Sequence, residues 1–292
     1  MNGYAEPLLI DFLAQLAPHW RFALFAAAGI VAGLFLDIAI RRVPVAVELA
    51  WLAESAIATT SATSINSINS INASASALSP DHGDTEIPLA SITALSAERF
   101  QAVPLPDAAP TRRWQLSVLT ALLSVAVAWR FGPTWQSVGA LGLVWTLITL
   151  AYIDFDTQLL PDILTLPLLW AGLLCNLGHW FATLPAAVIG AAAGYLSLWL
   201  LYWVYWLLRR REGMGFGDFK LYAALGAWLG WASLLQIMTL ACLLAIVVAG
   251  SAWIAGRLRH DQMFPFGAFL AAGGIATLFG GNELMMWIGG TP

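Results

Sequence analysis

Pro185-Ala-Ala-Val-Ile-Gly-Ala-Ala-Ala-Gly-Tyr-Leu-Ser-Leu-Trp-Leu-Leu-Tyr-Trp-Val-Tyr-Trp-Leu-Leu208 runs for 24 residues without a charge and is closed by Arg209, Arg210 and Arg211. As a helix it rises about 36 Å, more than the roughly 30 Å of a bilayer's hydrocarbon core. Around it the chain keeps the same character. Of 292 residues, 60% are hydrophobic and 10% charged, with a mean hydropathy of +0.76. Soluble domains carry about 25% charged residues, so most of this surface does not face water. The 15 Trp residues agree, since Trp collects at membrane interfaces as well as in cores. A formal net charge of −4 offers nothing to a nucleic-acid partner.

Working outward, similar apolar runs fall near 20–40, 114–130, 134–153, 163–181, 185–208, 219–232, 234–256 and 264–289. The expected fold is all-α, a polytopic transmembrane bundle of about eight spans. Gly226, Gly230 and Trp231 mark only a slight break between the sixth and seventh. Arg41, Arg42, Arg112, Arg113, Arg209, Arg210, Arg211, Arg257 and Arg259 all fall on one side if the N-terminus is outside. Basic loops stay in the cytoplasm, so the chain reads N-out and C-out. Residues 1–18 include Asp11 and no basic stretch, so the first span is expected to stay as an anchor.

The chain divides into residues 1–44, with the first span; residues 45–113, a cytoplasmic loop; and residues 114–292, the main bundle. The loop holds Ser64-Ile-Asn-Ser-Ile-Asn-Ser-Ile-Asn72 and then Ser-, Ala- and Pro-rich sequence. Little apolar surface is there to bury, and a largely flexible segment is expected. The sequon at Asn72 is chance on a cytoplasmic loop. Cys175 and Cys242 lie singly in apolar runs, where small packing residues are the ordinary reading; a zinc cage needs clustered ligands.

Ionisable groups at the membrane boundary are costly and therefore candidates for function. They concentrate in Tyr152-Ile-Asp154-Phe-Asp156-Thr-Gln-Leu-Leu-Pro161-Asp162 and in Gly213-Met-Gly215-Phe-Gly217-Asp218-Phe-Lys220. The orientation puts both on one membrane face. Two carboxyls sharing one proton there would form a hydrolytic pair, the ionised member taking a proton from water and the protonated one polarising a carbonyl. Gly215 and Gly217 would let a substrate backbone or a partner helix approach Asp218. Plainer roles compete. Asp162, after Pro161, reads first as a helix N-cap. Asp156 is either solvated or part of substrate binding, and Lys220 pairs with a carboxylate or a lipid phosphate. By pattern alone an aspartate at a span end is more often interfacial than catalytic.

A resemblance raises Asp154 and Asp218 above that level. Gly215-Phe-Gly217-Asp218 matches the G-x-G-D motif of polytopic aspartic peptidases. The stretches 215–230 and 153–170 resemble bacterial type IV prepilin peptidases more narrowly. Gly33-Leu-Phe-Leu-Asp37-Ile-Ala-Ile-Arg41-Arg-Val-Pro44 looks like that family's first-span exit, and Phe264-Pro-Phe-Gly267-Ala-Phe-Leu-Ala-Ala-Gly273 like its last-span entry. The resemblance implies an aspartic endopeptidase that cuts, on the cytoplasmic side, the leader of type IV prepilins and type II secretion pseudopilins. Asp154 and Asp218, 64 residues apart, take the catalytic positions. No cofactor is implied for cleavage. S-adenosylmethionine would serve the N-methylation that many members add.

The family's paired C-x-x-C motifs in the first cytoplasmic loop are absent here, and Asp37 and Leu34 replace a usual Asn and Ser. Zinc is therefore not expected, and methylation is left open. Two other functions compete: a transporter that moves ions or protons through its aspartates, and an inactive assembly factor descended from the peptidases.

Overall fold

The computed structural model describes residue 10 and residues 16–75, 110–210, 215–255 and 265–281. Among them are eight α-helices and no strand. They are α1 (Pro18–Ala75), α2 (Pro110–Phe131), α3 (Trp135–Thr157), α4 (Asp162–Leu177), α5 (Leu184–Arg209), α6 (Phe216–Leu229), α7 (Leu234–Ile254) and α8 (Phe266–Gly280). Each apolar run read from the sequence coincides with one helix. Pro18–Val47, Trp114–Phe131, Trp135–Thr157, Leu184–Arg209 and Trp231–Ile254 are long and apolar enough to cross a membrane. The chain is an all-α, multi-pass membrane protein.

α4 and α8 are shorter than the runs read for them, 163–181 and 264–289, while α6 is as short as its run, 219–232, and begins and ends three residues earlier. α4, α6 and α8 have 16, 14 and 15 residues, or about 21–24 Å of rise. α6 stops because Gly230 turns the chain with φ 80°, and a 3₁₀ turn at Trp231–Ser233 leads into α7. The slight break read there is a real one. The eighth helix ends at Gly280, ahead of residue 289. α1 corrects the sequence reading in the other direction. It continues past Pro44 to Ala75, so the Ser-Ile-Asn run is helical where a flexible loop was expected. The Ala-, Glu- and Leu-containing stretch after Pro44 favours helix locally. The rest of the expected loop, residues 76–109, lies outside the described residues.

The chain forms two compact units, Met1–Pro44 with Ala108–Pro292, and Val45–Asp107. In the larger, α6 is the central helix, with 10 of its 14 residues buried. Leu143, Leu147, Leu150 and Ile153 of α3 recur on one face and join Phe219, Leu221 and Leu225 of α6 and Leu270 of α8 in one core. The backbones of α5 and α6 touch at Gly190 and Gly226, where a β-carbon on either would strike the other's carbonyl. Small residues permit such close crossings in membranes, where helix association rests on packing. α1 uses the same device. A β-carbon at Gly29 would lie 2.6 Å from Ala121 Cα, and Thr120 Oγ1 of α2 donates to the Gly29 carbonyl at 2.8 Å. Large side chains on outer faces, among them Leu200, Leu208, Val247 and Ile254, are exposed, as a lipid-facing surface requires. Asp37 is buried within α1 and pairs with Arg41 one turn on.

Candidate active site

Three helix ends converge on two carboxyls. α3 closes with Gln158 in the left-handed region at φ 55°, its N–H donating to the Asp154 carbonyl at 2.9 Å. That stop leaves the Asp154 side chain on the inward face of the last turn, 4% exposed. α6 opens at Phe216 after Gly215, placing Asp218 in its first turn, 7% exposed. α8 opens after Pro265, a residue that suits helix starts because it lacks an N–H. Its Ala268 N–H donates to Asp154 Oδ2 at 2.8 Å. The free N–H groups and the dipole of a helix start favour a carboxylate.

Gly267 gives the pair its room. A β-carbon on it would stand 2.9 Å from Asp218 Oδ1 and 3.1 Å from Asp154 Oδ2. These two oxygens therefore both face Gly267 and are no farther apart than the sum of those distances. Leu160, in the link between α3 and α4, covers the same spot, its Cδ1 2.6 Å from where that β-carbon would be. Two carboxyls that face one glycine repel when both are ionised, and a pair that shares one proton avoids that repulsion. Such a pair can take a proton from water and give one to a carbonyl oxygen in the same step.

The other sequence candidates divide. Gly217 is needed for packing against Leu160, whose Cβ would lie 2.6 Å from an added β-carbon. The expected approach to Asp218 through this glycine is thus filled by the protein's own side chain. Gly215 is the N-cap of α6 and has open space where a side chain would be. Asp162 makes no side-chain cap, correcting that expectation; Pro161 holds the cap position. Instead both Asp162 carboxylate oxygens accept from Lys220 Nζ at 2.6 Å, tying the start of α4 to the start of α6. Asp156 is exposed just beyond the pair. Gly267, Ala268 and Leu160 received no role from the sequence. The available signal was Pro265-Phe-Gly267, a glycine two residues after a helix-starting proline.

Among the described residues, no three His, Cys, Asp or Glu side chains group to hold a metal. Cys175 and Cys242 sit on α4 and α7, both free, and the Val45–Asp107 unit contains no cysteine. This donor set does not fit the four-ligand thiolate zinc site of the resembling family.

Residues 141–250, which include both aspartates, match the type IV leader peptidase family. The prepilin leader peptidase/N-methyltransferase of Burkholderia pseudomallei is 40% identical over 285 residues, 95% of this chain and 91% of that protein. Its namesake in Aeromonas hydrophila is 40% identical over 290 residues, 96% and 97% of the two chains. That of Pseudomonas aeruginosa is 41% identical over 286 residues, 94% and 96%. No solved structure matches the chain. With likeness of this extent running from the first helix to the last, the chain belongs to the type IV leader peptidase family.

Proposed function

We propose that Asp154 and Asp218 are the catalytic pair of an intramembrane aspartic endopeptidase that removes the leader of type IV prepilins and type II secretion pseudopilins. Family membership makes the chain a peptidase; the residues that act, the substrates and the membrane face are the proposal. The observation that carries it is the meeting of two buried carboxyls across Gly267. A water held between them attacks the scissile carbonyl. One carboxylate accepts the water's proton while its neighbour donates a proton to the carbonyl oxygen. The proton taken from water then passes to the amide nitrogen, a hydroxyl proton returns to the neighbouring carboxylate, and the C–N bond breaks to release the amine and the leader's carboxyl end. The Ala268 N–H fixes the Asp154 carboxylate in position throughout. Arg209 to Arg211 precede α6 and Arg257 and Arg259 precede α8 in sequence, and the C-terminal end of α3 meets those two helix starts at the pair, which supports a cytoplasmic site in the inner membrane.

The relatives' names join peptidase to N-methyltransferase, and we extend methylation of the new N-terminus, with S-adenosylmethionine as donor, to this chain. That ligand carries a charged amino-acid head and ribose hydroxyls. The two cavities described have mainly apolar linings and do not fit it, so no step of methyl transfer is assigned to the described residues. Surrounding lipid is the remaining partner.

Asp154→Asn and Asp218→Asn should each lower leader removal by about a thousandfold or more, with protein still accumulating in membranes. The measurement is cleavage of a purified prepilin, read by mass. Undiminished processing by either variant would remove that residue from the pair.

A further inference from the structure

A cavity of about 800 Å³ opens beside the aspartates, between α2, α3 and α8. Its walls use matching stretches of the three helices: Gln115 to Leu123, Ile148 to Asp156 and Ala268 to Ala276. Each stretch spans eight residue steps, about 12 Å of rise. α2 and α8 begin at the end where α3 finishes, and this is the Asp154 end. Ala268 belongs to both places, since it lines the groove and donates its N–H to Asp154.

The lining changes along its length. Gln115, Tyr152 and Asp156, the polar side chains of the wall, lie within about one turn of the aspartate end. Beyond them the wall is aliphatic, with exposed Ala272 and Ala276 along the α8 side. Asp156 stands at the mouth, and among the described residues of the lining it is the charged one. An occupant that fits is apolar along its body, with its polar end beside the carboxyls.

We propose that this groove seats the first two turns of the substrate's apolar helix, the part that follows the scissile bond. The inference rests on the peptidase reading and adds where the substrate's body binds. Two turns of helix are about 11 Å long, the length of the groove. A helix lying there enters the site at Ala268, so its N-terminal peptide bond reaches the pair without leaving the membrane boundary. Alanines on the α8 side let the substrate backbone come close, as small residues do at helix crossings in bilayers.

The test uses the full-length protein in lipid vesicles with a membrane-anchored prepilin. A photo-crosslinking side chain is introduced at Ala272 or Ala276, and at Val247 of α7 as a lipid-facing control. The two groove positions should capture the prepilin helix within its first eight or so residues, and Val247 should not. Ala276→Trp, which fills the inner end, should raise KM about tenfold with kcat little changed, the signature of lost binding. Adducts with lipid only, or equal capture at Val247, would overturn the groove. Cleavage by the unmodified chain reports on the peptidase reading separately. Cleavage without groove capture sinks the groove alone, and capture without cleavage sinks the peptidase reading alone.

Discussion

A β-carbon on Gly267 would have to share space with Asp218 Oδ1, Asp154 Oδ2 and Leu160 Cδ1 at 2.9, 3.1 and 2.6 Å. Leu160 is the end of a flexible side chain and can swing aside. The carboxylates cannot both retreat, because Asp154 is held by the Ala268 N–H. Gly267→Ala should therefore spread the pair while leaving the helices in place. A misplacement near 1 Å costs about a hundredfold in rate, so kcat for leader removal should fall by that factor with little change in KM. A variant that cleaves normally would show that the oxygens need not face one another across this residue. The aspartates themselves were legible in the sequence because charge at the membrane boundary is costly and draws notice. Gly267 carries no such cost. It lies 49 residues beyond Asp218, and only the packing of α8 against α3 and α6 reveals what its missing side chain does.

At the level of helices, the position of Asp218 depends on α6, a helix too short to cross a bilayer and buried almost all round. Its far end is held by Asn176 of α4. Asn176 Nδ2 donates to the carbonyls of Ala227 and Trp228 at 2.8 and 2.9 Å, and its Oδ1 accepts from the N–H groups of Phe181 and Ala182, both at 3.0 Å. One fully buried amide thus satisfies the end of α6 and the turn before α5. Side-chain hydrogen bonds in membrane proteins average about 0.6 kcal/mol each. Asn176→Ala removes four and should cost about 2 kcal/mol, read as a lower unfolding midpoint in detergent. Unchanged stability would mean that the α5–α6 crossing at Gly190 and Gly226 holds α6 without help. The apolar runs gave the number and order of helices, since each must be mostly apolar to enter a bilayer. They could not give where α6 stops, three residues before its apolar run does, because the residues at that end and in the adjoining turn at Trp231–Ser233 are mostly apolar as well. The continuation of α1 was hidden for the opposite reason: Ser and Asn are poor helix formers, yet they are carried along by the helix before them.

For the molecule as a whole, the peptidase pieces gather in one unit. Asp154, Leu160, Asp218 and Gly267 all belong to Met1–Pro44 with Ala108–Pro292, and the peptidase family match over 141–250 lies inside it. Val45–Asp107 is the other unit and contributes none of these residues. Within the first, α1 packs on α2 through Gly29 and Gly33, the earlier glycine meeting the later part of α2, so the two helices run antiparallel. Their adjoining ends can then be bridged by a short connection. A Gly/Ser linker of ten residues spans about 17 Å on average, beyond the 8–10 Å that separates the axes of packed helices. Replacing Val45–Asp107 with such a linker should leave leader cleavage within about tenfold of the intact chain, given that insertions and deletions in connecting segments cost little when the packed elements are kept. Methylation, if it depends on the excised unit, should vanish from the same product. Mass measurement of the mature N-terminus reads both results at once. A well-folded excision variant that no longer cleaves would show that Val45–Asp107 takes part in the peptidase step, and a product that is still methylated would move methyl transfer into the helical bundle.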